Sequence, residues 1–173
     1  FFQKRIKKKI IFFNKTQTKS NGIIVEQGTG WHGLDLVLFY LGGSDSVYTY
    51  DTTPWLQESL LKKSIKVCIT NIEEIRSWAY CDQNLLNQRF ENLKRISLEK
   101  DMSLKNILLE INVTYICARN FSYHEVPNSS VDLFFTDSVL QRIQQDELGI
   151  FVNSASRILK DNKFLLSIVD CKD

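Results

Sequence analysis

A glycine-rich turn and an acid that follows it are the residues with the clearest chemical potential. Residues 25–33 read VEQGTGWHG, so Gly28, Gly30 and Gly33 have the spacing G-x-G-x-x-G. Glycine allows a sharp turn and a close approach of backbone to a ligand, and the start of the following helix presents free amide groups. Asp51 follows about twenty residues later, where a carboxylate can accept hydrogen bonds from both hydroxyls of a ribose. The pattern predicts a ligand that contains a nucleoside.

Two classes of ligand fit this turn: a dinucleotide such as NAD, and S-adenosyl-L-methionine. Glu26 precedes the first glycine by two positions. A dinucleotide turn must receive a pyrophosphate, which a buried carboxylate would repel. S-adenosyl-L-methionine carries an ammonium and a sulfonium, which an acid attracts. The residues favour S-adenosyl-L-methionine, with a nicotinamide-dependent oxidoreductase as the alternative.

Four segments resemble motifs of the class I S-adenosylmethionine-dependent methyltransferases. VEQGTGWHG is similar to their acid-x-Gly-x-Gly motif, VYTYD to their second strand, VDLFFTDSVLQRI to their fourth strand, and SRILKDNKFLLSIVD to a helix-turn-strand segment. The four occur in the family's order and cover roughly residues 21–173. The resemblance implies a methyltransferase domain with S-adenosyl-L-methionine as cofactor. It also implies these cofactor-binding residues: Glu26, Gly28, Thr29, Gly30, Asp51, Arg119, Asn120 and Thr136.

Three residues depart from the family pattern. Gln27 replaces a usual apolar residue, His32 stands where many members have a third glycine, and Asn120 stands where an acid often binds the adenine amino group. An amide oxygen accepts the same hydrogen bond less strongly than a carboxylate. Gln27 and Asn120 keep a third hypothesis open, a catalytically inactive module that binds RNA or a protein partner.

Asp137, directly after the predicted fourth strand, is the one weak candidate for a catalytic residue. Methyl transfer from a sulfonium mainly requires alignment, and a base is needed only where the acceptor must first lose a proton. A helix cap is an equally good interpretation of Asp137, and His32 and His124 are more typical of surface or capping histidines. Residues 136–138 lack the Asn-Pro-Pro-aromatic pattern of enzymes that methylate planar amino nitrogens. The favoured acceptor is a small molecule, a glycan or a lipid.

Strands and helices alternate around these residues and predict an α/β fold. The expected fold is a doubly wound, mostly parallel Rossmann-like sheet. Nearly sixty helical residues between strands 2 and 3 indicate an insertion over 55–112. Because the chain begins with Phe, it is expected to be a fragment of a longer protein. Because the family usually continues past strand 5, the domain is expected to be truncated there. The predicted strands cover 23–25, 47–50, 113–118, 131–136 and 164–169, with helices over 31–41 and 146–159.

Charge is distributed unevenly along the 173 residues, which suffice for one domain with a core. Residues 1–20 carry seven Lys or Arg and no acid, whereas the rest has 15 basic and 20 acidic residues, a net charge of −5. We therefore divide the chain into a basic amino-terminal helix or arm, 1–20, and a cofactor-binding domain, 21–173. The arm is interpreted first as a solvated helix face, and RNA or anionic lipid is a less favoured partner.

The four cysteines give no sign of a disulfide framework or a zinc site. Cys68, Cys81, Cys117 and Cys171 are scattered and lie far from both histidines. They predict reduced, mostly buried thiols, a cytoplasmic location and no metal. No apolar run approaches the ~20 residues that a membrane helix needs, so no transmembrane segment is expected.

Overall fold

The computed structural model describes residues 2–15, 21–79 and 81–169 of the chain. Five strands form one sheet in the order β3-β2-β1-β4-β5, and every neighbouring pair is parallel. The α/β sheet predicted from the alternation is confirmed. The strands are β1 (Gly22–Gln27), β2 (Ser44–Asp51), β3 (Val113–Cys117), β4 (Val131–Asp137) and β5 (Leu159–Ile168).

Helices cover both faces of the sheet, as the doubly wound prediction requires. The buried apolar side chains form one core shared by the first six helices and a second core beneath α7. The helices are α1 (Phe2–Lys15), α2 (Leu34–Gly42), α3 (Glu58–Thr70), α4 (Ile72–Arg76), α5 (Gln83–Leu98), α6 (Leu104–Glu110) and α7 (Gln145–Ile158). Apolar spacing predicts three helices in the insertion, around 56–65, 85–96 and 104–111, and the structure has four, because α4 is too short for its periodicity to be visible.

The central strand β1 explains how the sheet is fixed. Ile24 and Val25 are both fully buried although they point to opposite faces, and they join the two different cores. A strand buried on both faces reads as a continuous apolar run, which is the pattern of this segment. Because β2 and β4 flank β1, the carboxyl ends of these three strands meet at one edge of the sheet.

Helix α2 is buried on every side, which fixes the glycine turn before it. All nine of its residues are buried, including Asp35. A helix that is apolar all round belongs in a core. Gly33 before it and Gly43 after it both have positive φ, 53° and 113°. Gly42 and Gly43 predict the end of this helix, and α2 does end at Gly42 with Gly43 as its cap.

The boundary predicted for the fifth strand is wrong. The strand begins at Leu159 instead of Phe164, and the pairing with β4 shifts register between Val131 and Leu133. Asn162 has a φ of 63° inside this irregularity. The predicted turn at 161–163 is therefore a bulge within β5, because asparagine tolerates the left-handed conformation that a bulge requires.

Among the described cysteines, burial differs from the prediction. Cys68 is buried, Cys81 is half-buried and Cys117 is exposed, so the expectation of mostly buried thiols is wrong for two of the three. Cys171 lies outside the described residues. In the part of the chain that the structure describes, no helix is both long and apolar enough to span a bilayer, and no cluster of three or more His, Cys, Asp or Glu side chains could hold a metal ion.

Candidate functional site

A cavity of about 840 Å³ opens at the carboxyl ends of β1, β2 and β4. Its size lies within the ~300–1,000 Å³ typical of small-ligand sites. The carboxyl edge beside the point where the strand order reverses, here between β1 and β4, is also where open parallel sheets place their ligands. The predicted residues that line the cavity are Gly28, Gly30, Asp51, Arg119 and Asp137.

The glycine turn and Asp51 form one hydrogen-bonded unit at this cavity. The Gly28 N–H donates to the Tyr50 carbonyl at 2.8 Å, and the Gly30 N–H donates to Oδ2 of Asp51 at 2.9 Å. Oδ1 of Asp51 accepts a hydrogen bond from the Thr52 N–H at 3.1 Å. A carboxylate has about four acceptor positions, so Asp51 keeps the capacity to accept from a ligand.

Gly28 is a position where only glycine fits. Its φ is 96°, and a Cβ there would overlap the Cγ2 methyl group of Val139. A side chain would be strained by the backbone conformation and would also collide with the loop after β4. The turn therefore brings the backbone after β1 close to that loop, and a methyl group of Val139 fills the space on the Cβ side of Gly28.

Glu26 lies behind the turn and is not among the residues that line the cavity. It is 1% exposed, and its carboxyl accepts a hydrogen bond from the Thr49 hydroxyl at 2.6 Å. Thr29, also buried, lies 2.5 Å from the same hydroxyl. Burial, and after it the charge of Asp35, raises the pKa of Glu26 to about 8. Glu26 therefore holds the turn from below and is mostly neutral at pH 7, so its direct contact with a ligand stays a prediction.

A buried lysine from α1 reaches the same region. Lys9 is 5% exposed, and its ammonium lies 2.7 Å from Oδ2 of Asp35 and 2.5 Å from Oδ2 of Asp137. Burial by itself would lower the pKa of this ammonium, but Asp35 and Asp137 outweigh it and the pKa is raised. The solvated face predicted for the basic arm is wrong for Lys9, although Lys7 and Lys8 are exposed. The part of the arm at 16–20 lies outside the described residues.

Asp137 is held as an anion at the cavity wall. Burial tends to raise its pKa, but the Lys9 ammonium, a hydrogen bond from Ser138 and the Arg5 guanidinium at 3.4 Å together hold it below its ordinary value. A carboxylate with a lowered pKa is a weak proton acceptor. The catalytic role of Asp137 therefore stays a prediction.

The remaining predicted residues divide between buried and exposed positions. Thr136 is fully buried, and its Oγ1 has no hydrogen-bond partner among the described residues. Asn120 is exposed, and its Oδ1 accepts a hydrogen bond from the Ser122 hydroxyl at 2.7 Å. Gln27 lines the cavity and accepts a hydrogen bond from the buried Tyr123 hydroxyl at 3.0 Å. Gln27 is thus accommodated in place of an apolar residue because a buried phenol satisfies its oxygen.

Neither histidine lines the cavity. Nδ1 of His32 accepts a hydrogen bond from the Leu34 N–H at 3.2 Å, which places its ring at the start of α2. Burial, followed by the charge of Arg5, lowers the pKa of His32. His124 is exposed. The positions of both agree with the capping and surface interpretations.

Two tryptophans form an aromatic rim that was missed in the sequence. Trp31 and Trp55 stack with ring centroids 5.0 Å apart and planes 7° apart. Both line the cavity and remain 52% and 42% exposed. The Gln57 N–H donates to the Trp31 carbonyl at 3.0 Å, which joins the loops after β1 and β2. No spacing in the sequence indicates this pair, because the two residues belong to different loops.

Lys9, by contrast, has a signal in the sequence. Ile6, Ile10 and Phe13 are the buried apolar residues of α1, and Lys9 follows Ile6 by three positions and precedes Phe13 by four. Positions three and four apart lie on one face of a helix. A lysine on the apolar face of an amphipathic helix indicates a buried partner. Helical periodicity alone therefore predicts that Lys9 is buried.

Comparison with known proteins gives similarity in structure and none in sequence. No family model and no curated protein matches the sequence. The structure is similar to a proposed S-adenosyl-L-methionine-dependent methyltransferase from Methanococcus maripaludis. The two are 12% identical with a TM-score of 0.50, and the match covers 91% of this chain and 54% of that chain.

Two further solved structures give slightly lower scores. One is the Haemonchus contortus phosphoethanolamine N-methyltransferase 1 in complex with phosphoethanolamine and S-adenosylhomocysteine, with 17% identity, a TM-score of 0.49 and coverage of 88% of this chain and 23% of that chain. The other is an S-adenosylmethionine-dependent methyltransferase from Mesorhizobium loti, with 14% identity, a TM-score of 0.47 and coverage of 87% and 48%. This chain thus spans about half or less of each similar protein. The methyltransferase resemblance is confirmed at the level of the fold.

Proposed function

With the methyltransferase fold as the premise, we propose that this chain binds S-adenosyl-L-methionine and is the cofactor-binding part of a methyltransferase. One observation carries the proposal. The Gly28–Gly30 turn and the carboxylate of Asp51 are joined by a 2.9 Å hydrogen bond and face one cavity at the carboxyl edge of the sheet. This arrangement suits a ribose bound by Asp51 and the amino-acid portion of the cofactor along the glycine backbone.

The cavity fits this cofactor in two respects that do not depend on the comparisons. Gly28 and Gly30 line the cavity, and a Cβ at Gly30 would meet nothing within 4 Å, so the backbone at Gly30 is open to a ligand. Asp51 and Asp137 place carboxylates at the cavity wall, where they attract an ammonium or a sulfonium and repel a pyrophosphate. Because Glu26 does not line the cavity, discrimination against a dinucleotide would come from these two carboxylates, and it would be opposed by Arg119 and Arg142, which line the same cavity.

The contribution of the chain would be alignment. S-adenosyl-L-methionine would supply a methyl group that is already activated for transfer. Asp51 would hold the ribose, the amides of Gly28 and Gly30 would face the amino-acid portion, and Arg119 would lie near the adenine. Orientation of reactants is worth ~7–11 kcal/mol in well-ordered intramolecular reactions, so no general base is required of this chain for an acceptor that is already unprotonated.

We further propose a small molecule as the acceptor, with a glycan or a lipid as broader possibilities in the same class. The cavity has the dimensions of a small-ligand site, and Phe121, Val139 and Ile143 add an apolar wall. Nucleic acid is less favoured, because α1 turns Lys9 inward and the rest of the chain carries a net charge of −5.

Titration calorimetry with S-adenosylhomocysteine and, separately, with NADH tests the proposal on the 173-residue chain. We expect saturable heat with the first ligand and none with the second. NADH binding alone would support the oxidoreductase instead. Binding of S-adenosylhomocysteine without incorporation of radiolabelled methyl groups into any fraction of a cell extract would support the inactive binding module.

A further inference from the structure

We propose that Lys9 of α1 is a positioning residue of this site: its buried ammonium holds Asp137 as a carboxylate at the cavity wall, where Asp137 attracts the positive charge of a bound ligand. The inference rests on the proposed function, since the probe is S-adenosylhomocysteine. It makes the amino-terminal helix part of the binding machinery, although none of the side chains that the structure describes in α1 lines the cavity.

The geometry of Lys9 supports this role first. Its ammonium bridges Asp35 at 2.7 Å and Asp137 at 2.5 Å, and it lies 4.9 Å from the ring centroid of Phe135. Asp35 belongs to α2 and Asp137 ends β4, so one ammonium ties three elements together. Ile6 and Phe13 on the same face of α1 are fully buried and hold the helix against the sheet.

The Lys9 ammonium is needed to balance the charge of the buried acids around it. The charges of Asp35 and Asp137 both help to raise the pKa of Glu26, and Oδ1 of Asp35 is buried without a hydrogen-bond partner among the described residues. Removing one partner from a buried ion pair leaves a charge that burial penalises. Without Lys9, we expect Asp137 to take up a proton at a higher pH and so to lose its attraction for cations.

The groups that face Asp137 set the pH window in which the test is clear. Glu26 titrates near pH 8, above the window, and is mostly neutral below pH 7. The pKa of His32 is lowered and burial raises the pKa of Asp51, so the titrations of both are the ones to control for. The charged and titratable groups around Asp137 are Arg5 and Lys9 from α1, Glu26 from β1, His32 and Asp35 at α2, and the residues Asp51, Arg119, Arg142 and Glu147 that line the same cavity.

The experiment measures the affinity for S-adenosylhomocysteine by calorimetry at pH 5.0 and 7.0. For the wild type we expect the affinity at the two pH values to differ by less than about 2-fold. For Lys9→Met we expect a roughly 10-fold loss of affinity at the lower pH, since a pH unit of linked protonation changes affinity up to ~10-fold. Lys9→Arg keeps the charge and should restore the wild-type profile. Lys9→Met combined with Asp137→Asn should bind weakly at both pH values, which a titration of His32 could not produce.

Each outcome decides the matter. A Lys9→Met variant with the wild-type pH profile overturns the inference and leaves only a structural ion pair. If Lys9→Met does not fold, Asp137→Asn decides, because we expect about a 10-fold weaker affinity at pH 7 and wild-type affinity would overturn the role of Asp137. A wild-type chain that binds no S-adenosylhomocysteine overturns the proposed function and this inference together. The absence of binding heat in the wild type distinguishes this result from one in which only a variant fails to bind.

Discussion

The ammonium of Lys9 lies 2.5 Å from Oδ2 of Asp137, so the first helix of the chain is bonded to the carboxyl end of β4. The contact lies at the edge where the glycine turn and Asp51 also end. Lys9, which does not line the cavity, therefore contacts from behind an acid that does. Substitutions at Gly28 in the turn, at Asp51 at the end of β2 and at the buried Glu26 should therefore change binding or stability in distinguishable ways.

Asp51→Ala should weaken binding of S-adenosylhomocysteine by ~1.5–3 kcal/mol, which is roughly 10- to 150-fold. The reason is the loss of the carboxylate that would hold the ribose. Calorimetry measures the effect. Asp45→Ala is the matched control, because Asp45 is an exposed acid on the same strand, near its opposite end. Equal affinity of the Asp51 variant and the wild type would mean that the ribose is bound elsewhere.

Gly28→Val should abolish binding, because the side chain would meet Val139 and the φ of 96° is unfavourable for any L residue. Gly28→Ala should be milder, and adding Val139→Ala should restore part of its stability by removing the collision. Chemical denaturation and calorimetry measure stability and binding. Gly149→Ala is the control: its Cβ meets nothing within 4 Å in the middle of α7, so a gain of ~0.5–1 kcal/mol is expected.

Glu26→Gln should change how stability depends on pH. The pKa of Glu26 is raised to about 8, so the folded chain keeps a proton that the unfolded chain has already released. That contribution is complete below the ordinary glutamate pKa and is lost as pH rises toward and through 8. The free energy of unfolding of the wild type should therefore fall between pH 6.5 and 8 by up to ~1.4 kcal/mol per pH unit.

Glu26→Gln retains an oxygen for the Thr49 hydroxyl and should lack this fall. Urea denaturation at pH 6.5, 7.25 and 8.0 gives the comparison. The chosen interval leaves out His32, whose lowered pKa acts at lower pH and with the opposite sign. Parallel curves for the two proteins would show that Glu26 is ionised at neutral pH and that the buried cluster is organised differently.

Tryptophan fluorescence should report ligand binding, because two of the three tryptophans of the chain line the cavity. Trp31 and Trp55 are half-exposed, whereas Trp78 is 2% exposed. We expect S-adenosylhomocysteine to reduce quenching by acrylamide in the wild type. Trp31→Phe combined with Trp55→Phe leaves only the buried Trp78 and should show no effect of the ligand. Protection that persists in this variant would place the ligand away from the aromatic rim.

Much of the fold can be predicted from patterns of residues that are close in the sequence. The segment GIIVEQ reads as a strand buried on both faces and becomes the central β1, and glycines close both ends of α2. These features depend on residues close in sequence, so periodicity and glycine placement predict them. The bulge in β5 was not predicted, because the shift arises from pairing with β4 and not from the segment alone.

The candidate site divides along the same line. The sequence by itself determined that Gly28, Gly30 and Asp51 would meet, since parallel strands bring their carboxyl ends to one edge. Only the tertiary structure decided that Glu26 lies behind the turn, that Lys9 points inward and that Asp137 is held as an anion. The physical reason is that charge and burial depend on neighbours from other elements: a carboxylate is an attractor, a base or a neutral group according to what packs against it.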